Sequence, residues 1–357
     1  MCAERLRRER GFSIVEIMVG IVVALLVGLA ASSSARFFSA SQRQGMAVGA
    51  MASNVLSALG AIKTDVASAG LGFFGDSYFS CYKMNFSVGS TKKYENADFT
   101  PVLVTRVGAN DTLEVLSSTS IDGGANVLLS GTSTGLVATT QSRLPAKAGD
   151  AVMLVPGKPA AGTPCMIRRV TEVTDLPQQT GKPAQTFTFA ATADYNQVVF
   201  GGSPTYVGSN PDRDRMALLG TLYSSRYALD GTQLMYEQPL TGLKGTLLSN
   251  VLAFRVQYGV SADDIEKTLV GWQDATGSTW SKVSGSTVDR VRALRIGIVT
   301  RSPAPEKRNA EGNCEASTSK PVDPFDSSVT IEPDVSDWQC YRYRTAVQIV
   351  PLRNLVW

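Results

Sequence analysis

Histidine is absent from all 357 residues. Its absence excludes Ser-His-Asp and Cys-His nucleophilic mechanisms. Cysteine is scarce: Cys2, Cys81, Cys165, Cys314 and Cys340 are present, with no CxxC spacing among them. Without histidine or closely spaced cysteines, the chain offers no zinc-type ligand set. Proline is missing from residue 12 to residue 100, so nothing there removes a backbone donor or breaks a helix. Between Phe12 and Ala35 there is a single charge, Glu16. The net charge is only +3, from 34 Lys+Arg against 31 Asp+Glu. That surplus is too small to draw nucleic acid or anionic lipid to the chain as a whole.

The lone carboxylate is the most informative residue present. Arg5, Arg7, Arg8 and Arg10 precede Gly11, and the apolar run from Phe12 to Ala35 follows. About 20 apolar residues span a bilayer's hydrocarbon, and a carboxylate inside such a span is costly unless a partner neutralises it. A secretory signal has a shorter apolar core and a small-residue cut after it. A plain membrane anchor fits the length and leaves Glu16 unexplained. The third reading cuts before the apolar run, at Gly11, and keeps the run in the mature chain.

Gly11, Phe12 and Glu16, behind a short basic leader, resemble the class III signal of type IV pilins and pseudopilins. The resemblance implies that a prepilin peptidase cuts after Gly11 and N-methylates Phe12. The physics agrees with that role. The basic leader stays cytoplasmic by the positive-inside rule. Phe12 and Glu16 are i and i+4 on one helix face, and Glu16 sits in the first turn, where the dipole favours a negative charge. In a stack of parallel helices, Glu16 of one subunit can meet the Phe12 amine of a neighbour and set the register.

Cleavage at Gly11 removes Cys2 and leaves four cysteines, enough for two bridges in an oxidising compartment. Four cysteines allow three pairings. Cys314–Cys340 is the expected pair, because the intervening loop is rich in Pro, Ser and Asp and has little apolar surface to order it. Cys81–Cys165 then remains, with free buried thiols as the alternative. Val48, Met51, Val55, Leu59, Ile62 and Val66 recur at helical spacing, which extends the helix past the membrane half as an amphipathic rod. A helix from Phe12 to Ala69 would measure about 87 Å, with Gly70 as its stop. Residues 70–75, GLGFFG, match G-x-G-x-x-G, but a helix precedes them and a loop follows, the wrong setting for a dinucleotide loop. A helix terminus with Phe73 and Phe74 in the core is the expectation.

Beyond residue 76 the pattern turns to short β-type runs broken by Gly, Pro, Asn and Asp. Expected strands are 102–107, 112–116, 151–155, 166–173, 186–190, 218–228, 233–237, 251–258, 291–300 and 341–350, with a hairpin about Asp230-Gly231. The expected fold class is α+β, and the resemblance implies a type IV pilin-like fold with a long N-terminal helix on a large antiparallel β-rich head. Its expected parts are a leader (1–11), a transmembrane half-helix (12–35), an amphipathic half-helix (36–70), a β-rich lobe or insertion (71–200) and a pilin-like sheet with a disulfide loop (201–357).

The runs LLSNVLAFRVQYGV (247–260), VRALRIGIVTRS (291–302), YRYRTAVQIVPLRN (341–354) and IKTDVASAGLGFFG (62–75) resemble PilW-type minor pilins. The resemblance implies a structural subunit of the inner membrane with its head in the periplasm, later placed at the pilus tip on the cell surface. Its implied partners are other minor pilins and the major pilin through the helix, the inner-membrane assembly platform and a PilY-type tip adhesin. A type II secretion pseudopilin and a membrane-anchored adhesin that never polymerises are the rival readings. No catalytic site, cofactor or metal is expected. Asn210-Pro-Asp212-Arg-Asp214 and Asp263, Asp264, Glu266 read as solvated turns rather than calcium loops. Arg342, Arg344 and Arg353 beside Tyr341 and Tyr343 read as a solvated sheet face rather than a nucleic-acid edge.

Overall fold

In a computed structural model the described residues are 13–73, 81–120, 126–157, 163–177, 182–201, 205–209, 213–309 and 311–355. The chain divides into two compact units, 1–52 and 53–357. A helix covers Ile14–Ala67; it ends in a turn in which the Ala69 and Leu71 amides donate to Val66 and Ser68. Gly70, at φ 74°, takes the left-handed conformation that stops a helix at little steric cost. The helix therefore ends two residues before the expected Ala69.

Within the second unit, Val55, Leu59, Ile62 and Val66 are at most 3% exposed and form one edge of the main core, at the spacing that puts them on one face. Among the described residues, three larger sheets form the head with two small ones. A five-stranded sheet runs in the order Leu243–Ser249, Gln233–Gln238, Leu222–Asp230, Asn110–Ser118, Val102–Val107. A four-stranded sheet runs Gly271–Asp274, Val251–Val260, Val291–Arg301, Tyr343–Pro351. Pairing in both is antiparallel throughout.

The six-stranded sheet runs Thr91–Asp98, Lys83–Val88, Cys165–Arg169, Ala151–Val155, Arg215–Gly220, Asn126–Leu128. Only Lys83–Val88 with Cys165–Arg169 is a parallel pair. This sheet has a core on each face. Ala151, Met153, Val155, Ile167, Ala217 and Leu219 enter the main core, whereas Val152, Leu154, Met166, Met216 and Leu218 enter a second one. Successive side chains alternate faces, and burial on both explains why 151–155 reads as an unbroken apolar run.

Two of the expected strands are each two. Residues 166–173 split into Cys165–Arg169 and Glu172–Asp175, because Val170 and Thr171 carry the chain from the six-stranded sheet into a three-stranded one. Residues 218–228 split at Gly220, φ 68°, where the chain leaves the six-stranded sheet for the five-stranded one. The Asp230-Gly231 hairpin pairs Leu229 with Leu234 and Tyr227 with Tyr236. The five-stranded sheet joins 110–118 to 222–230, so chain from both sides of residue 200 shares one sheet.

Candidate assembly interface

Gly11 and Phe12 lie outside the described residues. Ser13 begins them: its carbonyl accepts from the Glu16 and Ile17 amides at 3.0 and 3.2 Å, opening the helix. Glu16 is in the first turn, exposed, and it lies within a run that is long and apolar enough to cross a membrane, Ile14–Ala35. The large side chains of this run are uncovered: Ile14, Leu25 and Leu29 are 77, 68 and 72% exposed. So much apolar surface requires a lipid or protein cover.

At its other end the helix is fastened to the head by polar contacts as well as by its apolar stripe. Tyr227, 1% exposed, donates its hydroxyl to Asp65 Oδ2 at 2.6 Å. Burial, then the Asp65 carboxylate, push the Tyr227 hydroxyl pKa up. Asn354 Nδ2 donates to the Ala69 carbonyl at 3.1 Å, and the Gly70 amide donates to the Leu116 carbonyl at 2.9 Å. A helix C-terminus leaves its last carbonyls without intrahelical partners, and here Asn354 supplies a donor at that end while the Gly70 amide turns to the sheet. Gly72, φ 85°, has Ser118 Oγ too close to leave room for a Cβ, and that hydroxyl donates to the Leu71 carbonyl. Within GLGFFG, Phe73 is fully buried against Phe99, ring centroids 5.4 Å apart; Phe74 and Gly75 lie outside the described residues. Gly70 and Gly72 thus serve a helix-to-sheet turn.

Cys81 pairs with Cys165 and Cys314 with Cys340, with Cα separations of 5.7 and 4.7 Å. The first bridge ties the start of the head to the six-stranded sheet; the second closes the loop that ends beside Tyr343–Pro351. Cys2 lies outside the described residues.

An ion cluster that sequence reasoning missed holds this second loop. Arg255 Nε donates to Asp111 Oδ2 at 3.1 Å and its Nη2 to Asp274 Oδ1 at 3.0 Å, and its Nη1 pairs with Asp323 in the disulfide loop. Arg106 pairs with Asp111 and Asp274 at 2.7 and 3.0 Å. Asp111 and Asp323 are 1 and 5% exposed. Burial pushes the Asp111 carboxyl above its usual range, against the pull of the Val256 amide and both arginines. The one signal in the sequence is an arginine inside the apolar run 251–260.

The remaining sequence candidates are placed separately. Arg342 pairs with Glu306, and Arg301 stacks on Tyr341 at 4.7 Å while pairing with Asp334. Arg344 is exposed on the edge strand and Arg353 begins a C-terminal 3-10 turn. Asp214 is buried and accepts from the Gly157 and Val207 amides at 2.8 and 2.7 Å, whereas Asn210 and Asp212 lie outside the described residues. Asp263 accepts from the Ile265 and Glu266 amides, a local turn. Among the described residues, no group of three or more Cys, Asp or Glu is placed to hold a metal ion.

Residues 211–354 match the family model described as Type IV Pilus-assembly protein W. They cover strand Arg215–Gly220 of the six-stranded sheet, three strands of the five-stranded sheet, the four-stranded sheet and the disulfide loop. Among solved structures the chain is similar to a type IV-like pilin from Thermus thermophilus. The identity is 10%, the match covers 86% of this chain and 98% of that one, and the TM-score is 0.35. No curated protein matches the chain.

Proposed function

We propose that this chain, related through residues 211–354 to type IV pilus-assembly proteins, is a minor pilin. In this reading it co-assembles with other minor pilins, primes pilus polymerisation and stays at the tip. The observation that carries the reading is one exposed carboxylate, Glu16, in the first turn of an uncovered apolar helix. In lipid or in a filament core that charge is costly alone. Paired with the cationic amine of a neighbour's Phe12, it sets the stagger between subunits. The chain supplies packing surface and register and no catalytic activity of its own. The head is periplasmic before assembly, and the disulfides Cys81–Cys165 and Cys314–Cys340 suit that oxidising compartment. A head of this size, 53–357, suits a cap better than a position repeated along a shaft.

Glu16→Ala tests the reading. Piliation should fall roughly tenfold or more, since an unpaired neighbour amine costs several kcal/mol in an apolar core, while the protein still reaches the membrane. Unchanged piliation and unchanged capture of other pilus subunits would favour a simple anchor.

A further inference from the structure

The head contains a cleft that the pilin reading does not use. Its floor is one face of the five-stranded sheet. Register places Leu103, Glu114, Arg226 and Glu237 side by side in a row across four strands. Arg226 Nε lies 3.2 Å from Glu114 Oε1, and its Nη1 donates to Glu237 Oε2 at 3.4 Å. Tyr94 and Lys93 come from the hairpin of the six-stranded sheet, and Leu240 from the turn after Glu237; together they wall a space of about 310 Å³. That volume is at the small end of ligand pockets, about 300–1,000 Å³.

Three features narrow the occupant. The Glu-Arg-Glu row is about 40% exposed at each side chain, so as an ion-pair ladder it adds little to stability; what it offers is a fixed array of donors and acceptors. The charges balance: Glu114 and Glu237 repel an anion, and Arg226 and Lys93 repel a cation. The floor alternates acceptor, donor, acceptor, within reach of neighbouring hydroxyls that can each donate to a carboxylate and accept from a guanidinium. Beside it, burial and then Glu114 push the Tyr94 hydroxyl up to about 12, so it remains a neutral donor at working pH. The apolar side of such a ligand meets Leu103 and Leu240.

We propose that this cleft binds a neutral saccharide unit, held by Glu114, Arg226 and Glu237 on the floor with Tyr94 on the wall. The four strands that carry these groups hold the site preformed. The site lies wholly in the head, and binding does not depend on whether the helix polymerises.

The test is saturation-transfer NMR on the full chain in amine-oxide micelles, a detergent without a sugar headgroup. The probes are D-glucose, D-galactose, D-mannose and N-acetyl-D-glucosamine, with glucose 6-phosphate and glucosamine as charged counterparts. At least one neutral probe should receive transfer and outcompete both charged sugars. Glu237→Gln should weaken it roughly tenfold, the loss expected for one charge-assisted contact. Leu240→Trp, which fills the cleft from a half-buried position, should abolish it while thermal unfolding stays unchanged. Absence of transfer from every neutral probe, preference for a charged one, or parent-like binding by both folded variants would overturn the proposal.

Discussion

Tyr227 donates its hydroxyl to Asp65 across 2.6 Å, joining the last turns of the N-terminal helix to the middle strand of the five-stranded sheet. The two residues are 162 positions apart. Their contact lies on the face of the sheet opposite the Glu114–Arg226–Glu237 row, because Tyr227 and Arg226 are neighbours in one strand and point to opposite sides. One sheet therefore holds the last turns of the helix on one face and the cleft on the other.

Removing the hydroxyl should loosen the helix from the head. Tyr227→Phe is expected to destabilise the head by about 1.5–3 kcal/mol, the range for a hydrogen bond to a charged group. Asp65→Asn keeps an acceptor and should cost less. Thermal unfolding of the full chain in detergent reads both; a Tyr227→Phe protein as stable as the parent would show that the contact contributes nothing.

Alkali should unfold the head cooperatively. Tyr206, Tyr227 and Tyr258 are at most 1% exposed, and burial raises the hydroxyl pKa of each above its ordinary value. The folded state keeps these protons, while the unfolded chain releases them from about pH 10. Stability from these groups is thus complete below pH 10 and falls above it by roughly 1.4 kcal/mol per pH unit for each group. In a tyrosinate absorbance titration, at least three of the 11 tyrosines should ionise only as circular dichroism is lost. Smooth titration of all 11 near pH 10 in folded protein would contradict the burial.

The Arg255 cluster should behave as a structural clamp. Arg255→Met leaves Asp111 and Asp323 buried without their shared cation, a change that typically costs about 3–5 kcal/mol. Protease digestion should then cut first in the loop 314–340, which Asp323 anchors. A variant with parent stability and parent cleavage pattern would rule the clamp out.

The two disulfides should differ in weight. They enclose sequence separations of 84 and 26 residues, worth about 4.5 and about 3.5 kcal/mol by loop-closure entropy. Cys81→Ala with Cys165→Ala should therefore lower the unfolding temperature more than Cys314→Ala with Cys340→Ala. The reverse order would mean that the unfolded chain is already restrained near Cys81. Non-reducing peptide mapping checks both pairings directly.

What the sequence revealed follows apolar burial: Lys83–Val88 is buried but was missed, because Asn85 and Ser87 interrupt its apolar pattern. The stripe Val55, Leu59, Ile62, Val66 and the strands 102–107 and 151–155 were legible because their side chains meet one or two cores in regular alternation. Thr91–Asp98 was not: its residues TKKYENAD form an edge strand, half solvated, with no apolar period to read. Leu243–Ser249, also an edge, was missed for the same reason. The strand breaks at Val170 and Gly220 record changes of sheet, which local periodicity does not encode, although Gly220 was a usable sign. Glu16 was legible as a lone charge in an apolar run. The Asp111–Arg255 cluster and the cleft floor were not, since each joins the strands of 102–118 to chain more than a hundred residues later, brought together only by the fold.

The central claim is that Glu16 is half of a pair whose other half is a new amine on Phe12. Intact mass and N-terminal peptide mass spectrometry of the protein purified from pilus-bearing cells test this most directly. The expected result is a chain starting at Phe12, carrying one added methyl group and lacking residues 1–11. A mature chain that retains the arginine-rich leader, or that starts after the apolar run, would contradict the account.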